Sequence, residues 1–458
     1  MQFKNRTRYS IEEIEALKKA DREYFLHPFS RIGVSADKEP KIIERAYKTR
    51  VFDIEGREYI DGFAGLWYSN IGHGREEIIE VAKDQMSNLD AFHCFSGFSN
   101  LPAIHLAEKL SAMVPMEKAK VFFAGSGSEA NDSLFKIARL YWSLRGIDSK
   151  DIIISRNKGY HGVSYGPIQA TRFPHYQKGY DPLPPGFKYI DEPYCYYCPW
   201  DSTYPDCNLR CADALEEKII ELGEEHVAAF IAEPVIGSGG VIVPPAGYYQ
   251  KIKEVCSRYN ILFIADEVIT GFGRTAKNFG IEHWDGVMPD AMSLAKGITS
   301  GYVPLGAAVI SNHIFEALKK LNLFYHGFTY SGHPLACRVA LKNIEILERE
   351  GLMHNAAKMG ERLMEGFRAL DNRHIGEVRG KGLVAALEIV KDFSTKEKFD
   401  QPLGFKIFQN AYKNGVIVRP LDDDIIAFAP PLIMTEEDID KIVEVVGNAI
   451  KLETVSGS

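Results

Sequence analysis

No run of about 18 apolar residues occurs anywhere in the 458-residue chain, and the opening MQFKNRTRYSIEEIEALKK has no apolar stretch of the kind a secretory leader needs. The sequence is therefore read as neither membrane-spanning nor exported. Blocks of one charge are missing as well: 54 Lys and Arg are interspersed with 62 Asp and Glu, for a net charge of −8. That pattern excludes the basic footprint of a nucleic-acid binder and the polybasic face of a membrane-surface protein. Cysteine is scarce and odd in number, with seven in the whole chain. No disulfide framework is expected from that count, and a reducing compartment, the cytoplasm, is the simpler reading. Internal repeats, low-complexity linkers and a Gly-Lys-Ser/Thr phosphate loop are also absent.

What is present is the composition of a globular protein, 45% apolar and 25% charged, in a chain longer than one core usually supports. Ser10 and Glu13 form a capping-box pattern at the head of IEEIEALKKADREYF, which predicts a helix. Short strands follow, turning at Glu55-Gly56. From about residue 76 onward, helical periodicity (REEIIEVAKDQMSNL, EANDSLFKIARLYWSL, YYQKIKEVCSRYN) alternates with apolar strand runs (KAKVFFAGS, DIIISRN, VAAFIAEPV, ILFIADEVI). Such alternation implies an α/β fold with a mostly parallel central sheet covered by helices on both faces. The expected division is a large unit over residues 71–331 and a smaller α+β unit over 332–458, joined by the N-terminal segment 1–70.

Ligands of open α/β sheets sit at the carboxyl ends of strands, so the chemistry-bearing residues at strand ends matter most. FFAGSGSEAND ends a strand in Gly125-Ser126-Gly127-Ser128 and runs directly into a helix. The free N–H groups and positive end of that helix suit a phosphate. An ordinary serine N-cap followed by acids reads the same way. ILFIADEVITGFGR closes an apolar strand with Asp266 and Glu267. Neighbouring strand residues face opposite ways, so one acid can face a site while the other serves the structure. A metal ligand or a helix N-cap is the alternative. PDAMSLAKGITSGYVPLG places Lys296 after a buried run, where an ammonium is costly unless paired or chemically used. A lysine with a depressed pKa is a Schiff-base nucleophile. Together the three elements match what pyridoxal phosphate requires: an amine for its aldehyde, an acid for its ring nitrogen and a helix N-terminus for its phosphate.

In that order along the chain, SGSEAND, NKGYHG, AEPV, ADEVITGFGRT, AKGITSGYVPLGA and GFTYSGHP resemble the class III (subgroup II) aminotransferases of fold type I. The likeness spans nearly the whole chain and is greatest to the ω-amino-acid:pyruvate transaminases. It implies that Lys296 carries pyridoxal 5′-phosphate and moves the proton, and that Asp266 pairs with the ring nitrogen. It further implies that Val268 and Tyr160 cover the two ring faces, that Ser126, Gly127 and Ser128 hold the phosphate, and that Glu233 lies near the ring oxygen. Thr329 resembles a phosphate contact made from a second subunit, which implies a homodimer, or a tetramer built from dimers, with shared sites. Trp67 resembles the aromatic wall of the substrate pocket and Arg419 a mobile clamp for the keto-acid carboxylate. Read without the likeness, Tyr160 and Trp67 are core aromatics and Arg419 a surface arginine before a proline. The implied reaction moves the amino group of a short ω-amino acid (taurine or β-alanine type) to pyruvate, giving an aldehyde and L-alanine. A diamine such as putrescine, or a simple amine, is the alternative donor; an aminomutase or decarboxylase is the alternative reaction.

One feature departs from this pattern. PYCYYCPWDSTYPDCNLRC brings Cys195, Cys198, Cys207 and Cys211 into a C-x2-C-x8-C-x3-C array. The gap between the pairs is shorter than that of a zinc ribbon, so a loop with free or disulfide-paired cysteines is expected and no metal.

Overall fold

A computed structural model describes residues 8–30 and 40–455. Its first helix, Ile11–Tyr24, begins with the capping box that the sequence predicts: Glu13 N–H donates to Ser10 Oγ at 3.2 Å and Ser10 N–H to Glu13 Oε2 at 2.7 Å. Three short strands follow, β1 (Ile43–Tyr47), β2 (Arg50–Asp53) and β3 (Glu58–Asp61), with Gly56 supplying the positive φ of the turn between the last two.

The middle of the chain forms seven strands: β4 (Lys120–Ala124), β5 (Ile152–Arg156), β6 (Phe187–Ile190), β7 (Val227–Ala232), β8 (Leu262–Asp266), β9 (Ala291–Leu294) and β10 (Gly306–Ile310). They pair in the order β4-β10-β9-β8-β7-β5-β6. The run from β9 to β6 is parallel, whereas β10 is antiparallel to both of its neighbours. The reason is the connection from Leu294 to Gly306. It holds no crossover helix, and a parallel return needs one.

Both faces of this sheet are covered. Ala229, Ile231, Leu262 and Ile264 pack with Leu134, Ile137 and Trp142 of the helix Gly127–Ser143. The alternate residues Phe230, Ala232, Phe263 and Ala265 join the larger core on the other face. The period of two along two adjacent strands fixes their register, because a slip of one residue would exchange the two sets. Each buried phenylalanine contributes about 1.5–3 kcal/mol of transfer free energy.

The C-terminal part adds β11 (Ile375–Gly380), β12 (Ala385–Ile389), β13 (Val416–Ile417), β14 (Arg419–Leu421) and β15 (Ile425–Phe428). Four of them form an antiparallel sheet in the order β11-β12-β15-β14, while β13 pairs in parallel with β3 and so completes the N-terminal sheet. The cysteine-containing segment lies across β11 and β12. Tyr194 Oη donates to the buried Glu388, Lys396 Nζ donates to the carbonyl of Tyr196 at 2.6 Å, and Tyr197 Oη donates to the carbonyl of Lys396 at 3.0 Å. All seven cysteines are free thiols, and among the described residues no group of three or more His, Cys, Asp or Glu is arranged to hold a metal ion. No described helix is long and apolar enough to cross a membrane.

Candidate active site

The carboxyl ends of β4, β7, β8 and β9 converge on a cavity of about 340 Å³, lined by Ser126, Gly127, Ser128, Tyr160, Glu233, Asp266, Val268 and Lys296 among others. One wall is the start of the helix Gly127–Ser143. Ser126 caps it, accepting the N–H of Glu129 at 3.2 Å, while Glu129 Oε2 accepts the N–H of Gly125 at 2.6 Å. The first-turn N–H groups of a helix have no intrahelical acceptors, and the dipole there favours an anion. Gly127 leaves little room for a side chain, since a Cβ would stand 2.8 Å from Val268 Cγ2.

Asp266 closes β8 and is 2% exposed. Its Oδ2 accepts from Asn131 Nδ2 at 2.7 Å and from His161 Nδ1 at 2.7 Å, and its Oδ1 accepts the N–H of Val268 at 3.1 Å. Burial pushes this carboxyl up, but the hydrogen bonds and charge of His161, with those of Asn131 and Val268, outweigh it and hold the group below the usual range. A charged acid is thus kept at the cavity wall. Glu267, on the other strand face, accepts from Thr270 Oγ1 (2.5 Å) and from the N–H groups of Gly280 and Ile281 (2.8 Å each), and burial raises its carboxyl to about 7. It anchors a turn and does not line the cavity.

Lys296 follows β9 and Ala295 with φ +48, a left-handed backbone uncommon for a residue with a side chain. Its amine has no hydrogen bond or ion pair among the described residues. Burial lowers the ammonium's pKa to about 8, against the opposing charges of Asp266 and Glu233. Glu233, just beyond β7, accepts the N–H of Tyr160 (3.0 Å) and of Gly237 (2.9 Å), and burial raises its pKa. Tyr160 is pushed up to about 12 by its own burial.

Three residues from the sequence analysis lie outside the cavity lining. Trp67 is 3% exposed, packs edge-on against Phe63 at 4.3 Å and shares an apolar cluster with Val235 and Ile269; its neighbour Tyr68 lines the cavity instead. Thr329 is exposed in the turn preceding the helix Pro334–Arg349. Arg419, at the head of β14, is exposed, without an ion pair among the described residues, and within electrostatic reach of Tyr176. Of the lining residues not singled out from the sequence, His161 and Asn131 are the two that hydrogen-bond Asp266. Both stand inside quoted motifs. Asn131 lies four residues after Gly127 on one helix face, which is the signal that could have found it.

The residues present fit pyridoxal phosphate. An amine without a partner among the described residues, a charged acid with a lone pair of Oδ1 to offer, and the N-terminus of a long helix border one cavity.

Residues 32–450 match the family model described as aminotransferase class-III. Over 430 residues the chain is 42% identical to a putrescine–pyruvate aminotransferase of Pseudomonas aeruginosa, covering 92% of this chain and 93% of the relative. It is 38% identical over 436 residues to a gamma aminobutyrate transaminase 1 of Solanum lycopersicum, covering 93% and 84%. Among solved structures, an (S)-enantioselective ω-transaminase of Thermomicrobium roseum aligns with a TM-score of 0.92 at 42% identity, covering 97% of this chain and 99% of that one. The ω-transaminase of Pseudomonas jessenii in complex with PMP aligns at 0.93 and 40% identity, covering 96% and 99%.

Proposed function

Because the chain belongs to the class III aminotransferases, which use pyridoxal 5′-phosphate, we propose that it transfers a terminal amino group to pyruvate, leaving an aldehyde and L-alanine. The observation that carries this reading is the buried Lys296 amine, with no partner among the described residues, set between a helix N-terminus and the charged Asp266 in one cavity. When bound, the cofactor supplies an aldehyde that condenses with amines and a ring that withdraws electrons from the amine-bearing carbon.

The chain's own groups do the rest. Lys296 Nζ would hold the cofactor's aldehyde and, once free, would serve as the general base and acid that moves the proton. Asp266 would pair with the protonated ring nitrogen, and His161 and Asn131 keep that acid ionised and aimed. Ser126, Gly127 and Ser128 hold the phosphate, Val268 and Tyr160 enclose the ring, and Glu233 fixes the Tyr160 backbone. Arg419 clamps the pyruvate carboxylate by swinging in from its exposed position, and the lack of an ion pair among the described residues supports that movement. Trp67 acts from behind the pocket wall through its cluster with Ile269.

The active unit is a homodimer or a tetramer of such dimers, with Thr329 reaching the phosphate of the neighbouring subunit. Support comes from an exposed aromatic face beside that turn, made by Phe92, Phe95, Phe98, Tyr325 and Tyr330. Free thiols throughout fit a cytoplasmic protein.

A taurine- or β-alanine-type donor suits Arg419, which can hold the donor's acid group in the first half-reaction. The likeness to a putrescine–pyruvate aminotransferase favours a diamine as the second reading. A panel of taurine, β-alanine, putrescine and a simple alkylamine, each with pyruvate and with alanine as readout, tests both. Faster turnover of the ω-amino acids supports the first donor class and faster putrescine the second. No alanine from any of them, with rearranged or decarboxylated product instead, would remove the transfer reading.

A further inference from the structure

The lysine turn is held from behind by side chains that do not line the cavity. Lys296 (φ +48), Ser300 (φ +50) and Gly301 (φ +74) all take left-handed backbone within six residues. Such a turn persists only when its surroundings determine it. On the helix Pro334–Arg349, the sequence ALKNIEIL sets a fully buried Asn343 among the buried Val339, Ala340, Ile344 and Leu347. Burying an amide there is unfavourable unless its hydrogen bonds are made.

They are made, and all of those formed go to one place. Asn343 Nδ2 donates to the carbonyls of Gly297 (2.8 Å) and Ile298 (3.0 Å), and Oδ1 accepts from Ser300 Oγ (2.6 Å). Ser300 Oγ in turn accepts the N–H of Ile71 at 3.2 Å. On the turn's other side, Asn70 Nδ2 lies 2.5 Å from where a Cβ on Gly297 would stand, and Asn70 is fixed by Phe272 O (2.8 Å) and Arg274 Nη2 (2.8 Å). Arg274, also fully buried, ties the same knot to the carbonyls of Leu383 (2.9 Å) and Pro430 (2.5 Å).

We propose that Asn343 is a positioning residue for Lys296: by holding the carbonyls of the two residues after it and the hydroxyl of Ser300, it fixes the direction in which the amine enters the cavity. A side chain needed only for helix packing would be apolar, like its neighbours. Instead every hydrogen bond this amide makes ends within four residues of Lys296. The inference rests on the reading of Lys296 as the cofactor-bearing lysine.

The test uses the cofactor-loaded enzyme and two variants. Asn343→Leu keeps the number and branching of the side-chain heavy atoms and removes all three bonds. Ser300→Ala removes only the hydroxyl link and decides the matter if Asn343→Leu does not fold. A displaced catalytic group costs up to about a hundredfold in rate, so kcat should fall roughly ten- to a hundredfold in Asn343→Leu and about three- to tenfold in Ser300→Ala, with KM for pyruvate within about threefold. In both, the pH at which the bound cofactor's visible absorbance changes should move in the same direction, because the lysine's surroundings change. Folded variants that melt earlier but keep wild-type kcat and the wild-type absorbance midpoint would show that Asn343 only supports the fold, and would overturn the proposal. Borohydride reduction of the wild type separates the two levels. A cofactor fixed on Lys296 alongside unaffected variants removes the positioning role alone, whereas no cofactor on Lys296 removes the underlying reading and this inference with it.

Discussion

At the residue scale, burial and partners tune two groups of opposite charge. Burial disfavours the ammonium of Lys296, so its folded pKa, about 8, lies below the ordinary 10.5. The reactive neutral amine therefore accumulates as pH rises through about 8. Between that point and 10.5 the unfolded chain still holds a proton that the folded chain has lost, so this group's contribution to stability grows with pH in the same window. Reductive methylation of the cofactor-free protein, read by mass spectrometry, should show Lys296 reacting with a midpoint near pH 8, well below the ordinary lysine value. Asp266→Asn leaves a neutral partner for the ring nitrogen, and by the scale of lost electrostatic preorganisation kcat should fall about 10²–10³-fold with cofactor still bound. Wild-type turnover in Asp266→Asn would contradict the assignment. Arg419→Ala should weaken pyruvate strongly and a neutral alkylamine little in single-turnover half-reactions; equal losses would make it a structural residue. Lys296, Asp266 and the Ser126–Ser128 turn were legible because each ends an apolar strand run. The hold of His161 and Asn131 on Asp266 was not, since it spans 105 and 135 residues of chain, although the spacing from Gly127 already put Asn131 on the helix face that borders the site.

At the scale of elements, the site is the meeting of a helix N-terminus with strand ends, and glycine makes the meeting close enough. Gly127→Ala drives a methyl group to 2.8 Å from Val268 Cγ2, where one of the two must shift. Overpacking of this kind costs about 1–3 kcal/mol. A lower melting temperature and poorer cofactor retention on dialysis are expected together; retention equal to wild type would mean that the helix end does not hold the phosphate. The capping box at Ser10 and Glu13 and the alternating helices and strands were plain in the sequence, since both depend on spacing within one element. The antiparallel setting of β10 was not, because direction follows from the missing crossover helix between Leu294 and Gly306 and not from the strand's own GAAVI. Nor did the cysteine segment announce its contacts. Its tyrosines reach Glu388 and Lys396 nearly two hundred residues away, where the spacing of the cysteines had drawn attention to the thiols.

For the whole molecule, the expected state is a dimer at least. Tyr325 and Tyr330, 87% and 71% exposed, flank Thr329, and Phe92 and Phe98 meet edge-on at 5.3 Å within the same aromatic face. Contiguous apolar surface of this kind marks an interaction site. Sedimentation at assay concentration should give a dimer or larger species as the active form, and Tyr330→Asp should shift it towards monomer with loss of activity; a fully active monomer would refute the shared site. The most direct test of the central claim, that Lys296 carries the cofactor at the junction of the strand ends, is borohydride reduction of the loaded protein followed by peptide mass mapping. The cofactor's mass is expected on the peptide containing Lys296 and on no other, and is expected to be missing in Lys296→Ala. A label on a different lysine, or none on a protein that still forms alanine from pyruvate, would contradict it.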